Sequence, residues 1–285
     1  MAKKDPYSLT TILMLLPGVG FIIFFIGSSI TLTVLQSFGL SSLIGESRFT
    51  LSFWKAILFS TEALDSLKFS LKMGLLSSIG TVLIAFPLAL FFRKAGAGKG
   101  LLGSIIKIPL FIPALVAAFL ILNLISYHGL INTILMRLGI IAEPKRMLND
   151  SFGWGVVLIQ VWKNLPFVLL ILMSAISSIR DDTIDAARNL GAGYWSILLR
   201  IYIPLAMPGI LVAMILMFIK AFGDFPITSV AGPIYPSSVA GRMQTMAHIF
   251  QEWNQAAVLG VIIIITTFFV IWAYSRFAEL VQGDK

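Results

Sequence analysis

The sequence predicts an all-α, polytopic membrane protein with six transmembrane helices. Hydrophobic residues make up 58% of its 285 residues, and charged residues only 12%. Soluble domains usually carry about 25% charged residues. The apolar residues also fall into charge-poor runs near the roughly 20 residues that a helix needs to cross a bilayer. Composition and run length together exclude an ordinary soluble globular protein.

Six apolar runs define the predicted spans. The first is longer than a signal-peptide core of about 7–15 residues, so we predict an uncleaved span there. Within the predicted spans only the fourth and fifth carry charge, namely Lys163 in one and Lys220 with Asp224 in the other. The predicted spans cover residues 12–35, 73–92, 109–126, 154–179, 208–231 and 256–274.

Basic residues predict the orientation of the chain. The two termini and the connections after the second and fourth spans hold Lys3, Lys4, Arg93, Lys94, Lys99, Lys107, Arg180, Arg188, Arg200, Arg276 and Lys285. The opposite, longer connections hold Arg48, Lys55, Arg137, Lys145, Arg146 and Arg242. Lys and Arg concentrate in short cytoplasmic loops. We therefore expect a multi-pass protein of the cell membrane with both termini in the cytoplasm, and we attribute the +8 net charge to membrane flanks rather than to nucleic-acid binding.

The connection between the fourth and fifth spans is a charged island with the pattern of a helix, a turn and a second helix. Asp182 is expected to cap the first helix, with Asp185 as its capping-box partner. Ala186 and Ala187 favour helix and leave a small surface that another protein can approach closely. Gly191 stands where a left-handed helix stop is expected.

The second helix of this island is expected to run from about Tyr194 to Tyr202. It should end near Ile203, because the residue before a proline, here Pro204, avoids the helical region. Pro208 is well placed to start the next helix at its first turn.

This island resembles the "EAA" loop of the membrane permeases of binding-protein-dependent (type I) ABC importers. The matching residues are Asp185 in place of the family's Glu, then Ala186, Ala187, Gly191, Pro204, Pro208 and Gly209. Residues 49–55 resemble the family's external segment, and residues 162–167 resemble its core span before the loop. Residues 222–225 are most similar to permeases for polyamines, ferric iron and phosphonates.

The resemblance implies a transporter subunit rather than an enzyme, with no cofactor and a cytoplasmic coupling-helix loop. It implies that residues 1–66 form an N-terminal span and external segment, residues 67–281 the transmembrane core domain and residues 282–285 a cytoplasmic tail. Two cytoplasmic ABC ATPase subunits would hydrolyse ATP and dock on Asp185, Ala186, Ala187, Gly191, Ala192 and Pro204.

Further partners follow from the same resemblance. A second permease, identical or a sister, would complete the pathway. An extracytoplasmic binding protein would deliver a small solute of the polyamine, phosphonate or ferric iron class. The charged residues inside the spans suggest where that solute passes, because intramembrane charges usually face a cavity or a partner. We expect Lys163, Asn164, Lys220 and Asp224 to line the translocation path.

Two of these interpretations have alternatives. Lys163 and Lys220 could instead snorkel, or Lys220 could pair with Asp224 four residues later on one helix face. The island could lie on lipid headgroups through an amphipathic surface made of Ile184, Ala187, Leu190, Trp195, Leu198 and Leu199.

Other classes of protein fit less well. A self-contained secondary transporter often shows inverted repeats, and none is visible. An intramembrane hydrolase would need a nucleophile constellation, which the sequence lacks. There are no cysteines, and His128 and His248 are about 120 residues apart, neither with a His or carboxylate at metal-ligand spacing in a helix, so we expect no metal site.

Overall fold

The computed structural model describes residues 9–93, 99–145 and 149–282, and every regular element in these ranges is a helix. In chain order the helices are α1 (Leu9–Ser37), α2 (Ser52–Leu58), α3 (Thr61–Phe92), α4 (Lys99–Phe111), α5 (Ala114–Ile125), α6 (Leu130–Arg137), α7 (Trp154–Ser177), α8 (Asp181–Asn189), α9 (Tyr194–Ile197), α10 (Ile203–Phe222), α11 (Pro226–Ala231), α12 (Val239–His248) and α13 (Trp253–Gln282). A π-helical turn, Leu198–Tyr202, joins α9 to α10.

Six helical segments are long and apolar enough to cross a membrane, which confirms a polytopic all-α protein. They are Leu13–Ser37, Thr61–Phe92, Ala114–Arg137, Trp154–Ser177, Tyr194–Phe222 and Trp253–Arg276. Several residues used for the orientation lie outside the described ranges, as does nearly all of the predicted tail 282–285; these basic residues are Lys3, Lys4, Lys94, Arg146 and Lys285.

The third span begins later than predicted. Pro109, its expected first residue, lies instead in the last turn of α4. The chain breaks at Ile112 and resumes as α5 after Pro113, whose ψ of 147° is extended. A proline disfavours helix at the residue before it, so the break falls at Ile112 and the expectation of one continuous run from residue 109 is wrong.

The fifth span begins earlier than predicted. Tyr202 and Ile203 are helical, with φ of −64° and −63°, so α9 continues through the π-helical turn into α10. The expected stop before Pro204 is therefore wrong. A proline ring clashes with the carbonyl four residues before it, here that of Arg200. The wider π-helical turn lies at this point and lets the helix pass the proline.

The chain divides into two compact units. The smaller contains the described residues of 1–60 together with 243–262, and the larger contains those of 61–242 together with 263–285. In the smaller unit the Asn254 amide donates to the Gln36 carbonyl at 3.0 Å and accepts from the Ser42 hydroxyl at 3.1 Å. Our division of the sequence at residues 66 and 67 stays a prediction.

The larger unit is built on the packing of α3, α7 and α10 around one buried apolar cluster. Small residues such as Ala85, Ala89 and Ala213 contribute to it, because membrane helices approach closely where side chains are small. A Cβ on Gly74 of α3 would lie 2.7 Å from the ring of Phe218. This close packing fixes the positions of the polar residues that α7 and α10 carry.

Candidate functional site

A cavity of about 370 Å³ in the larger unit brings together all four residues that we expected on the translocation path. Lys163 and Asn164 come from α7, Lys220 from the last turn of α10, and Asp224 from the residues just after α10. The rest of the lining consists of Gln160, Ile227 and the residues around the break between α4 and α5. The residues around the break are Leu110, Phe111, Ile112, Pro113 and Ala114.

Lys163 is anchored at one wall of this cavity. Its ammonium donates a hydrogen bond of 2.7 Å to the carbonyl oxygen of Pro109. This carbonyl belongs to the last turn of α4, where it also accepts from the Ile112 N–H at 3.3 Å and where the helix dipole is negative. The contact offers a charged group a fixed acceptor inside the apolar span, so Lys163 does not need to snorkel to water.

Lys220 and Asp224 do not form the ion pair that their spacing allows. The Asp224 carboxylate instead accepts from the backbone N–H groups of Ile227 and Thr228, at 2.9 and 3.0 Å. These are free donors in the first turn of α11. The Lys220 ammonium lies 4.6 Å from the ring centroid of Phe167, a cation–π contact. The Asp224 carboxylate thus binds backbone N–H groups rather than Lys220. The Lys220 ammonium contributes a positive charge to the cavity.

Gln160 is a lining residue that the sequence analysis missed. It lies one turn before Asn164 on α7, and its side-chain oxygen accepts from the Asn164 amide at 3.0 Å. Gln160 and Asn164 are 2% and 4% exposed. The signal was present in the sequence, because residues four apart share one face of a helix.

The charged island forms a helix whose start differs from our expectation. Helix α8 begins at Asp181, and its N-cap Arg180 makes no side-chain cap bond. Asp182 lies inside the first turn and pairs with Arg180 at 2.7 Å, while Asp185 pairs with Arg188 at 3.2 Å. The expected capping box of Asp182 and Asp185 is therefore wrong, because the N-cap is Arg180 and the helix starts two residues earlier than expected.

Gly191 ends α8 as predicted. Its φ is +84°, the left-handed region that favours glycine. The Ala192 N–H donates to the Ala187 carbonyl at 3.0 Å, and the Gly191 N–H to the Arg188 carbonyl at 2.9 Å. These two bonds are those of a Schellman stop.

The island has a buried side and an exposed side. Ile184 and Ile197 are 1% and 5% exposed and belong to the apolar cluster of α3, α7 and α10, against which Ala187 and Ala192 also pack. The other side carries Asp185, Ala186, Gly191, Leu190, Trp195 and Pro204, all exposed. The alternative of one amphipathic surface does not match this arrangement, because Ile184 points to protein whereas Leu190 and Trp195 point away from it.

A metal site is not formed by the residues that the structure describes, since no three His, Cys, Asp or Glu side chains cluster there.

The structure also reveals a buried cation that the sequence analysis used only for orientation. Arg93, directly after α3, has a side chain that is 8% exposed.

Comparison with known proteins identifies one matching family, and the similar curated proteins are transport-system permeases. The family described as "Binding-protein-dependent transport system inner membrane component" matches residues 81–282. The spermidine/putrescine transport system permease protein PotB of Haemophilus influenzae is 27% identical over 214 residues, which cover 75% of this chain and 74% of PotB. The molybdenum transport system permease protein ModB of Azotobacter vinelandii is 27% identical over 217 residues, which cover 75% of this chain and 93% of ModB.

Solved structures show the same fold. A chain of a bacterial alginate ABC transporter, in complex with alginate pentasaccharide-bound periplasmic protein, has a TM-score of 0.78 at 16% identity and covers 95% of this chain and 94% of its own. A chain of the inward-facing MetNI methionine ABC transporter has a TM-score of 0.59 at 16% identity and covers 77% of this chain and 96% of its own.

Proposed function

Because this chain belongs to the family of binding-protein-dependent transport system inner membrane components, we propose that its Lys163–Lys220 cavity forms part of a solute pathway. The relatives are permease subunits of ABC importers, so the chain is a transporter component rather than an enzyme, and a multi-pass protein of the inner membrane. The single observation that carries the pathway is the meeting of four polar residues from separate segments in one cavity.

Residues 185–204, which we call the docking loop, bind the ATPase partners in this proposal. A permease of an ABC importer works with ATPases and with a solute-binding protein. The exposed side of the loop supports docking here, since Asp185, Ala186 and Leu190 are free of the apolar cluster that seats Ile184. The complex contains two ATPases on the cytoplasmic side and a second permease, identical or a sister.

The same proposal includes the topology. Both termini lie in the cytoplasm, as the basic loops predict, and the core domain comprises residues 67–281. ATP closes the ATPases and moves the docking loops, and the spans pass from an inward-facing to an outward-facing arrangement. This coupling requires ATP to bind the two states with different affinity.

The solute belongs to the polyamine, phosphonate or ferric iron class. Relatedness to PotB, named for spermidine and putrescine, supports a polyamine. A second candidate is an oxyanion, which relatedness to ModB supports. The charges of the cavity support it too, because two lysines line the cavity with one carboxylate, and that carboxylate accepts from backbone N–H groups. The binding protein selects between these solutes before they reach the cavity.

Reconstitution tests the proposal. The chain, purified with the ATPase and binding protein that it retains, should import solute into proteoliposomes only with ATP on the ATPase side. Spermidine, a phosphonate, molybdate and ferric iron, each labelled, should be compared at equal concentration. Uptake without ATP would indicate a secondary transporter instead. Release of water-soluble cleavage products from a membrane substrate would indicate a hydrolase.

A further inference from the structure

We propose that Arg93 is a positioning residue that links α3 to both ends of the docking loop and so transmits the loop's movement to the second span. The inference rests on the proposed function, because it concerns how the docking loop acts once an ATPase has moved it.

The contacts of Arg93 reach the segment just before the docking loop and the last residues of the loop itself. Its guanidinium donates to the Ile179 carbonyl oxygen at 2.5 Å and pairs with the Asp181 carboxylate at 3.0 Å. It also donates to the hydroxyl of Tyr202, and it lies 5.2 Å from the centre of that ring. Ile179 and Asp181 precede the loop, and Tyr202 closes the π-helical turn near its end.

The burial of Arg93 shows that this is not a surface ion pair. The Arg93 side chain is 8% exposed, whereas that of Asp181 is 75% exposed. A buried guanidinium needs several acceptors in fixed directions, and its planar fork suits them better than a lysine ammonium. The carbonyl of Ile179 and the Tyr202 hydroxyl supply the acceptors that the exposed Asp181 cannot supply alone.

The position of α3 explains why such a link is needed. Helices α7 and α10 adjoin the island at its two ends, so any movement reaches them through the chain itself. Arg93, directly after α3, is 86 residues away in sequence from Ile179 and 109 residues away from Tyr202. Helix α3 touches α7 and α10 through apolar contacts that include small residues such as Ala85 and Ala89, and apolar contacts are non-directional. Directional hydrogen bonds from Arg93 prevent the end of α3 from sliding past the loop.

The test separates coupling from folding with three variants in the assembled transporter. Arg93→Gln removes the charge, Arg93→Lys keeps it, and Tyr202→Phe removes one hydroxyl acceptor. Arg180→Gln is the matched control, because Arg180 is a nearby arginine whose 79% exposed side chain pairs with Asp182 at the surface. The measurements are ATPase retention, ATP hydrolysis, and solute imported per ATP hydrolysed.

We expect Arg93→Gln to retain the ATPase and hydrolyse ATP, but to import about tenfold less solute per ATP, since hydrogen bonds to charged groups are worth about that factor. Tyr202→Phe should show a smaller loss, and Arg93→Lys a partial rescue. The double variant Arg93→Gln with Tyr202→Phe should be no worse than Arg93→Gln alone, because both remove the same contact. Arg180→Gln should behave as wild type.

A second measurement observes the link directly. The chain has no cysteine, so spin labels at introduced cysteines report unique positions. Leu83 on α3 and Leu190 in the docking loop are 67% and 89% exposed. Their distance distribution should be narrow in wild type and broad in Arg93→Gln.

Unchanged solute per ATP in Arg93→Gln, or an unchanged distance distribution, would overturn the role of Arg93. If Arg93→Gln does not insert, Tyr202→Phe decides by the same two measurements. If the wild-type chain retains no ATPase, the proposed function fails and the role of Arg93 falls with it; normal wild-type import with normal variants refutes the role of Arg93 alone.

Discussion

The Lys163 ammonium donates a 2.7 Å hydrogen bond to the Pro109 carbonyl oxygen, which joins α7 to the last turn of α4. Lys220, on the same cavity, instead lies over the ring of Phe167. The two mid-span lysines therefore differ in their roles: one holds the wall of the cavity, and the other leaves its charge available.

This difference predicts that the same substitution at the two lysines affects different properties, stability at Lys163 and solute binding at Lys220. Lys163→Met should lower the thermal stability of the detergent-purified chain, because a hydrogen bond from a charged group is worth about 1.5–3 kcal/mol. Lys220→Met should leave stability unchanged and alter the KM for the transported solute, downward for a cation and upward for an anion. Thermal unfolding and ATP-dependent uptake check the two variants. Equal loss of stability in both would contradict the assignment.

Gly191 is predicted to tolerate only residues that accept a left-handed backbone. A Cβ there would meet no atom within 4 Å, so any cost of Gly191→Val comes from its φ of +84° and amounts to about 1–3 kcal/mol. We expect Gly191→Val to insert normally but to lose ATP-driven uptake, and Gly191→Asn to retain most of it.

Gly193→Val is the matched control for that prediction. Gly193 has a φ of −74°, and its Cβ would also meet open space. Gly193→Val should therefore insert normally and keep the thermal stability of wild type, whereas Gly191→Val should lose stability. Normal uptake by Gly191→Val at normal expression would show that the turn does not matter for coupling.

Asp185 is predicted to act through the ATPase rather than through stability. Its side chain is 63% exposed and pairs with Arg188 at 3.2 Å, and exposed pairs contribute little to folding. Asp185→Ala should keep the thermal stability of the chain but weaken ATPase retention by about tenfold to a hundredfold, as expected for a charge-assisted hydrogen bond of about 1.5–3 kcal/mol.

Two further substitutions at Asp185 separate charge from shape. Asp185→Asn removes the charge and keeps an oxygen, and it should fall between wild type and Ala. Asp185→Glu restores the residue of the EAA pattern and should be close to neutral. Asp182→Ala, which removes another exposed acid that pairs with an arginine, Arg180, should not affect retention. Equal retention by all Asp185 variants would make Asp185 a solvated surface residue.

Gly209 is predicted to be required by the contact between α10 and α7. A Cβ there would lie 2.3 Å from the Ala175 Cβ, so Gly209→Ala should destabilise the chain by about 1–3 kcal/mol through overpacking. Adding Ala175→Gly should restore the stability, because it removes the opposing Cβ. Gly103→Ala, where the nearest atom would be 3.7 Å away, should not destabilise the chain. Failure of the double variant to recover would refute this contact.

The orientation is predicted from the basic loops. Ile234, in the connection after the fifth span, is 97% exposed, and a cysteine there should react with an impermeant thiol reagent added outside intact cells. A cysteine at Leu190 should react only after permeabilisation. Gly98, in the predicted cytoplasmic connection after the second span, lies outside the described residues. The reverse labelling pattern would place the docking loop outside the cell.

Local rules predicted some features of the island and failed for others. The Gly191 stop followed from a rule about one backbone angle, and the structure has it. The stop before Pro204 and the capping box at Asp182 used rules of the same kind, and both were wrong. A π-helical turn carries the helix past Pro204, and α8 begins two residues earlier than a cap at Asp182 required. Several local solutions were sterically possible at these positions, and packing selected among them.

The sequence by itself determined that the chain is an all-α membrane protein with six spans, because run length and absence of charge decide what can lie in a bilayer. The loop pattern at residues 185–209 likewise indicated the class of protein. Only the tertiary structure decided which distant groups two of the cations contact: Lys163 with Pro109, and Arg93 with Tyr202. Such partners lie up to 109 residues apart in sequence, and periodicity describes a residue's own helix but not the helix that packs beside it.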